Sequence, residues 1–230
     1  MSNSTYSKQL TAFFKYDFEE KTKADILSGN LAGVEQQAND YLIELANIPL
    51  SYFVEYITSN CKREPIMASD VLQFSDINDA TINVCSVICA KDNTGLCFQD
   101  IGKMLLDDNI ARSQTAFNKY GENHIKTAEL LGLAFKTGKR QYYLSSTGVA
   151  FCKLPEDIRD KILVRLILRN KLFVQLILVA SNSSIDLEGF LYDLSETTYL
   201  RRRTNIKFII NLLISSPEYD FTFLANNITL

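Results

Sequence analysis

Apolar residues recur at intervals of three and four along most of this chain, which is the pattern of amphipathic helices. In the first third of the chain this spacing predicts helices over residues 7–18, 31–46 and 50–60. The apolar face of the second helix consists of Val34, Ala38, Tyr41, Leu42 and Leu45. Pro49 separates the last two helices, because the residue before a proline is pushed out of the helical region. Residues 1–77 are therefore predicted to be a helical N-terminal extension, whose amphipathic faces suit oligomerisation.

The pattern changes once within residues 78–153, from helical spacing to alternation. The helices predicted here cover 81–90, 97–106 and 111–131. Two short alternating stretches, 133–136 and 141–145, then flank Thr137-Gly138-Lys139-Arg140, a sequence typical of a hairpin turn. Three helices followed by a hairpin with a basic tip make the winged-helix plan, in which the third helix enters the major groove of DNA.

Residues 154–230 repeat that order of elements loosely. The predicted helices are 155–170, 171–180, 185–191 and 195–214. Residues 219–224 then alternate like a final strand, which suggests a degenerate second wing. The predicted fold is mainly α, with the helical extension over 1–77 and two winged-helix-like units, each a helix-turn-helix plus a β-hairpin, over 78–153 and 154–230.

Composition places the chain among ordinary globular proteins. Its residues are 47% hydrophobic and 22% charged, a balance at which a core can form. No run reaches the roughly 18 apolar residues of a membrane span, and the N-terminus has no apolar signal core. A cytoplasmic protein without a membrane partner is therefore predicted. The five cysteines include no CxxC pair and are expected to be reduced thiols in the core.

Charge is distributed unevenly along the chain. Residues 1–90 carry 6 basic and 12 acidic side chains, whereas residues 91–230 carry 18 basic and 15 acidic ones. The C-terminal part is therefore the candidate for contact with nucleic acid. The net charge of −3 does not exclude this contact, since charges further away than about 10 Å are screened.

The helix predicted over 195–214 contains three consecutive arginines in this mildly acidic protein. A local basic face favours an anionic partner such as a phosphate backbone. Successive residues of a helix are about 100° apart, so at most two arginines can face one groove and another is expected to pair within the protein. The predicted DNA contacts here are Arg201, Arg202, Arg203 and Lys207. The alternative is a solvated or internally paired face. The apolar ridge expected to hold this helix on its own core is Phe208, Ile209, Leu212 and Leu213.

The first winged-helix-like unit has two further groups of candidate contacts. On the wing, Lys136, Lys139 and Arg140 are expected to bind phosphates, although basic hairpin tips also serve solubility. On the helix over 111–131 the candidates are Arg112, Gln114, Asn118 and Lys119. Glutamine and asparagine suit adenine edges in the major groove, but surface helices routinely carry such side chains.

Two strings of residues carry a resemblance to a known group of proteins. They are Tyr120-Gly121-Glu122-Asn123-His124, ahead of the hairpin, and Ser195-Glu196-Thr197-Thr198, ahead of Arg201-Arg202-Arg203-Thr204. Over about residues 80–225 the chain resembles tandem winged-helix proteins associated with bacterial restriction-modification and related defence systems. The resemblance implies binding of double-stranded DNA as a recognition or accessory subunit or a regulator, and it adds Thr198 to the contacts. It also implies a nuclease or ATPase partner, and a homodimer is expected because many such folds are symmetric dimers.

Catalytic and metal-binding patterns are missing from the sequence. His124 is the only histidine, no serine or cysteine nucleophile surrounds it, and a packed, hydrogen-bonded side chain is expected. The acidic pairs Asp107–Asp108 and Asp186–Glu188 lack the strand context and lysine of a Mg²⁺-dependent nuclease. Neither a zinc-ligand spacing nor a phosphate-binding glycine loop occurs. We therefore predict a noncatalytic DNA-binding protein without a cofactor or metal.

Two alternatives stay open from the sequence. One is a type II restriction endonuclease, or a subunit of one, with an unrecognised active site in residues 1–80. The other is a winged-helix protein-interaction module that docks through the apolar helices of residues 161–180. Steep weakening of binding with rising salt would favour DNA over the protein partner.

Overall fold

A computed structural model of the chain describes residues 6–106, 112–138, 140–192 and 194–229. These residues are mainly helical and carry two small sheets, which confirms the predicted mainly α class. Packing separates the chain into two compact units. Unit 1 takes the described parts of Met1–Phe14, Ala46–Leu72 and Leu163–Leu230, and unit 2 those of Lys15–Leu45 and Gln73–Ile162. Each unit is built from separate stretches of chain, and the three-part division at residues 77 and 153 stays a prediction.

The N-terminal part consists of α1 (Ser7–Phe14), α2 (Asp17–Leu27), α3 (Leu31–Asn47) and α4 (Leu50–Asn60). The helices predicted over 31–46 and 50–60 are confirmed. The single helix predicted over 7–18 is wrong, because Tyr16 adopts a left-handed backbone with a φ of 58° and α2 begins at the next residue. The acidic first turn of α2 stabilises this new start through the helix dipole. The apolar faces of these helices are buried, so they contribute to the cores of the two units.

The middle of unit 2 contains α5 (Val84–Cys89), α6 (Phe98–Leu105), α7 (Gln114–Leu130), β1 (Ala134–Lys136), β2 (Tyr142–Leu144) and α8 (Ser146–Phe151). This is the predicted order of helices and antiparallel hairpin, except that residues 79–83 form a π-helical turn before α5. Leu96, between α5 and α6, joins β2 through an isolated antiparallel bridge to Tyr142. α7 begins after Ser113 because this side chain accepts a hydrogen bond from the backbone N–H of Ala116.

Helices α6 and α7 cross at two glycines. A Cβ atom on Gly102 would lie 2.0 Å from the carbonyl oxygen of Phe117. A Cβ atom on Gly121 would lie 1.9 Å from the carbonyl oxygen of Phe98. Because glycine has no side chain, the two backbones come into direct contact at these positions, and no larger residue would fit there. This crossing decides which face of α7 turns outward.

The C-terminal part contains α9 (Glu156–Arg169), α10 (Lys171–Ala180), β3 (Ile185–Asp186), α11 (Leu187–Phe190), α12 (Glu196–Ile214), α13 (Thr222–Asn227) and β4 (Ile228–Thr229). Helices α9, α10 and α12 confirm their predictions. The strand predicted over 219–224 is wrong, because Asp220 accepts hydrogen bonds from the backbone N–H and hydroxyl of Thr222 and α13 begins there. β4 pairs in parallel with β3. The predicted second wing, an antiparallel hairpin, is therefore not present in the described part of unit 1.

Helix α10 lies in the core of unit 1. The side chains that expose 1% or less of their surface include Leu172, Phe173, Leu176 and Ile177. Packing against the rest of unit 1 removes the apolar surface of α10 from water. The apolar helices of residues 161–180 therefore do not offer a docking face, and the protein-interaction alternative loses that support.

Arg165 of α9 is the buried polar centre of unit 1. Its guanidinium forms an ion pair with Glu218, with 2.8 Å between Nη2 and Oε2. It also donates hydrogen bonds to the carbonyl oxygens of Ala46 and Ile48, at 2.9 and 2.7 Å. Its guanidinium carbon lies 5.5 Å from the ring centre of Phe53. One side chain thus joins three stretches of unit 1 that are far apart in sequence.

Candidate nucleic-acid interface

The outward face of α7 is polar, and its N-terminal half carries no acid. The exposed side chains of this half include Gln114, Thr115, Asn118 and Lys119. Spacings of three and four residues place them on one face of the helix. Arg112, just before the helix, is exposed as well, and the first acidic residue of α7 is Glu122. The structure thus brings Gln114, Asn118 and Lys119 to one face, together with Thr115, which was not predicted, whereas helical spacing does not place Arg112.

The inner face of α7 is held by its histidine. His124 is 2% exposed, with Nδ1 at 2.7 Å from the carbonyl oxygen of Tyr120 and Nε2 at 3.1 Å from the hydroxyl of Ser75. These distances fit a ring that donates from Nδ1 and accepts at Nε2. Burial lowers the pKa of His124, which favours this neutral form. The prediction of a packed, hydrogen-bonded histidine is confirmed.

The hairpin presents two of the predicted wing cations to solvent. Lys136 ends β1 and is exposed, and Arg140 is exposed in the turn with a left-handed backbone, at a φ of 59°. Lys139, the third predicted wing cation, lies outside the described residues. The base of the hairpin contacts α6, where the rings of Phe98 and Tyr142 stack with 5.2 Å between their centres. The hairpin is thereby attached to the pair formed by α6 and α7.

The three consecutive arginines of α12 differ in their exposure and in their contacts. Arg202 is half-buried, and its Nη1 donates a hydrogen bond to the carbonyl oxygen of Val71, at 2.8 Å. Burial lowers the pKa of this guanidinium. The expectation that one arginine pairs within the protein is confirmed, and Arg202 is not among the exposed cations of the helix.

The two remaining arginines lie on opposite edges of the exposed face of α12. At about 100° per residue, Arg201 and Arg203 are some 160° apart, whereas Arg203 and Lys207 are about 40° apart. Arg201 donates through Nε to the carbonyl oxygen of Thr197. Thr198 is half-buried, and its hydroxyl accepts a hydrogen bond from Ser195. Among the predicted contacts of α12, Arg203 and Lys207 therefore form the one neighbouring, exposed pair.

The exposed face of α12 is apolar as well as basic. Leu200 is 53% exposed and Phe208 is 45% exposed. The predicted ridge is therefore wrong for Phe208, and Leu212 is only half-buried. The side chains that hold α12 on its core are Tyr199, Ile206, Ile209, Ile210 and Leu213. Ile209 and Leu213 of that ridge are buried as predicted, but the buried positions Tyr199, Ile206 and Ile210 direct Phe208 toward solvent.

The cysteines differ from expectation. All five are free thiols, yet Cys85 alone among them is fully buried and Cys97 is exposed. Cys97 Sγ lies 2.9 Å from a carboxylate oxygen of Asp100. Cys89 and Cys152 lie half-buried, with 3.3 Å between their sulfur atoms. The core position predicted for the cysteines therefore holds for one of them and is wrong for Cys97.

The described residues contain neither a group of metal ligands nor a membrane-spanning helix. No three His, Cys, Asp or Glu side chains among them are grouped as metal ligands, and Asp186 caps α11 by accepting from the Gly189 backbone N–H. Within those same residues, no helix has both the length and the apolar character of a membrane span. Asp107 and Asp108 lie outside the described residues. Comparison with protein-family models, curated proteins and solved structures finds no match to this chain.

The sequence analysis did not single out the two glycines that position the candidate interface. Gly102 and Gly121 lie inside predicted helices, where glycine costs about 1 kcal/mol relative to alanine. A glycine inside a helix is therefore a signal of close packing. That signal was available, but it does not say which other helix comes close.

Proposed function

We propose that this protein binds double-stranded DNA without catalysing a reaction, with α7 in the major groove and the β1–β2 hairpin beside it as a wing. The observation that carries the proposal is the glycine crossing of α6 and α7, which leaves the acid-free, polar half of α7 in solvent. The order α5, Leu96 bridge, α6, α7, β1, β2 resembles the winged-helix plan, which supports the proposal. In helix-turn-helix folds the N-terminal residues of the recognition helix contact base edges.

The exposed side chains of unit 2 have the chemistry that this role requires. The side-chain amides of Gln114 and Asn118 match the N6 and N7 atoms of adenine, while Arg112 and Lys119 match phosphates. The positive end of the α7 dipole adds to the attraction of an anionic backbone. The proposed phosphate contacts of the wing are Lys136, Lys139 and Arg140.

We also propose a second, weaker DNA contact through Arg203 and Lys207 of α12. The order α10, β3, α11, α12 resembles the helical half of a winged helix, which supports this assignment. Arg202 is excluded because it is held by Val71, and Arg201 lies on the other edge of the helix.

The biological setting is a proposal that rests on the resemblance alone. In that setting the protein is a recognition or accessory subunit, or a regulator, of a restriction-modification or defence system. Its partners would be a nuclease or ATPase and a second copy of the chain. DNA binding can be tested without any of these partners.

We expect the affinity for duplex DNA to fall steeply as salt rises. At roughly −0.9 per contact, the five phosphate contacts proposed for unit 2, from Arg112, Lys119 and the three wing cations, contribute about −4.5 to the log–log slope, and the two proposed for α12 add about −1.8. Lys119→Ala should make the slope shallower by about 0.9, whereas Asn118→Ala should reduce discrimination between duplexes by about 1–3 kcal/mol. Fluorescence anisotropy with labelled random and genomic duplexes, between about 50 and 200 mM salt, measures both effects.

Lys21→Ala is the matched control, because Lys21 is an exposed lysine of the same unit on a different helix, α2. It should leave both the affinity and the slope unchanged. The proposal fails if the protein binds no duplex at about 50 mM salt. It also fails if Lys21→Ala and Lys119→Ala weaken binding equally.

The α12 contact is tested by the double variant Arg203→Ala/Lys207→Ala. Loss of two phosphate contacts should make the slope shallower by about 1.8. The exposed Leu200 and Phe208 favour a second candidate for this helix, a protein interface, since apolar patches rimmed by charge mark such surfaces. An unchanged slope in the double variant, combined with altered sedimentation of Leu200→Ser/Phe208→Ser, would assign α12 to protein contact instead.

A further inference from the structure

We propose that Cys89 and Cys152 are a modification site, a thiol pair that a hydroperoxide oxidises to a reversible disulfide. Cys89 is the last residue of α5, and Cys152 follows α8 directly. Their sulfur atoms are 3.3 Å apart although the residues are separated by 63 positions. A disulfide requires about 2.05 Å between the sulfurs, so bond formation needs a shift of little more than 1 Å. The inference concerns unit 2 itself and does not depend on DNA binding.

The surroundings of the pair favour reaction at Cys89. The hydrogen bond with Cys152 and the nearby Lys153 ammonium lower the pKa of the Cys89 thiol, and the thiolate is the reactive form. Cys152 has its pKa raised, first by the same hydrogen bond and then by burial, so it remains the protonated partner. Both side chains are half-buried, which leaves the pair within reach of a small oxidant.

The other thiols of unit 2 are less suited to this chemistry. Cys85 shares α5 with Cys89 but is fully buried, and burial raises its pKa. Cys97 is exposed and lies against the Asp100 carboxylate, which its thiol can reach as a donor. An exposed thiol of this kind can be oxidised. The partner described at hydrogen-bond distance from the Cys97 sulfur, however, is the Asp100 carboxylate and not a second thiol.

The reaction proceeds in two balanced steps. In the first, the Cys89 thiolate attacks one oxygen of hydrogen peroxide, the O–O bond breaks, and sulfenic acid and water form once a proton is taken up. In the second, the Cys152 sulfur attacks the sulfenic sulfur, the S–O bond breaks, and the hydroxyl leaves as water with the Cys152 proton. Two thiols lose two electrons in total and the peroxide gains them. A dithiol reductant reverses the change by thiol–disulfide exchange.

The bond would close a loop that contains α6, α7 and the β1–β2 hairpin. Cross-linking the two ends of this loop restricts the unfolded chain more than the folded one. Oxidation should therefore raise the midpoint of thermal unfolding by roughly 5 to 15 °C, and dithiothreitol should restore the original midpoint.

The test treats the full chain with a small excess of hydrogen peroxide, blocks the remaining thiols and maps the peptides by mass spectrometry. We expect a peptide cross-linked between Cys89 and Cys152, with two of the five thiols consumed. Cys97→Ser, the matched control, should keep both the cross-link and the thermal shift, whereas Cys89→Ser and Cys152→Ser should lose both. Oxidation of the unfolded chain in concentrated urea should scatter the cross-links among several cysteines.

The mapping of the unaltered chain decides the matter even where a serine variant folds poorly. The proposal is overturned if peroxide consumes Cys97 while Cys89 and Cys152 stay reduced. It is equally overturned if Cys89 oxidises to sulfinic acid without a cross-link, or if the native chain shows the same scattered products as the unfolded one.

Discussion

Gly121→Ala should destabilise unit 2 by at least about 3 kcal/mol, the upper part of the range for overpacked cores. The added Cβ would lie 1.9 Å from the carbonyl oxygen of Phe98 and 2.7 Å from the backbone nitrogen of Gly102. Neither atom belongs to a flexible side chain, so α6 and α7 must move apart. Urea denaturation followed by circular dichroism measures the loss. Gly102→Ala should behave in the same way, since its Cβ would meet the carbonyl oxygen of Phe117 at 2.0 Å.

Gly33→Ala provides the opposite result in the same unit. Gly33 lies in α3, where the nearest atom to an added Cβ is 3.7 Å away. Alanine there should stabilise the protein by about 0.5–1 kcal/mol, because glycine loses more backbone entropy in a helix. If Gly121→Ala cost no more than a few tenths of a kcal/mol, the close crossing and the outward direction of α7 that depends on it would both be wrong.

Arg165→Ala should destabilise unit 1 by about 3–5 kcal/mol, as is typical when one partner of a buried ion pair is removed. The variant leaves the Glu218 carboxylate without its guanidinium and the carbonyl oxygens of Ala46 and Ile48 without their donor. It also removes the packing of the guanidinium on Phe53. The free energy of unfolding, again from urea denaturation, is the quantity to compare with the unaltered protein.

One double variant separates the charge of Arg165 from its packing, and Arg159→Ala serves as a control. Arg165→Met/Glu218→Leu removes both charges and keeps most of the volume, so it should be less destabilised than Arg165→Ala, with the two carbonyl oxygens accounting for the remaining loss. Arg159→Ala, on the same helix, should cost less than about 1 kcal/mol because Arg159 is only half-buried. Equal losses in Arg159→Ala and Arg165→Ala would contradict a special role for the buried guanidinium.

Most helices of this protein could be predicted from the sequence, because their apolar positions repeat every three or four residues. α3, α4, α7 and α10 begin and end within a few residues of their predicted bounds. The break at Tyr16 could not be predicted, since the apolar spacing continues across it. The strand predicted over residues 219–224 was wrong for a similar reason. Their alternation resembles a strand, but Phe221 and Leu224, three residues apart, are both buried, and that spacing fits a helix.

The candidate interface was predictable in its residue types and not in its geometry. The polar side chains of α7 and the cations of the hairpin are visible in the sequence, and so is the limit that helical geometry sets on three consecutive arginines. Which arginine would turn inward was not visible. The contact between Arg202 and Val71 joins residues that are 131 positions apart in the sequence. Periodic sequence patterns relate only residues a few positions apart, so they could not predict this contact.

The sequence by itself determined the helical class, the hairpin turn and the kinds of side chain available on each helix. Each of these depends on hydrogen bonds and side-chain periods among near neighbours. Only the tertiary structure decided the crossing at Gly102 and Gly121, the burial of Arg165 and the approach of Cys89 to Cys152. Those contacts form because particular surfaces bury one another away from water. The surfaces belong to segments that are distant along the chain, so a local pattern cannot predict which of them will meet.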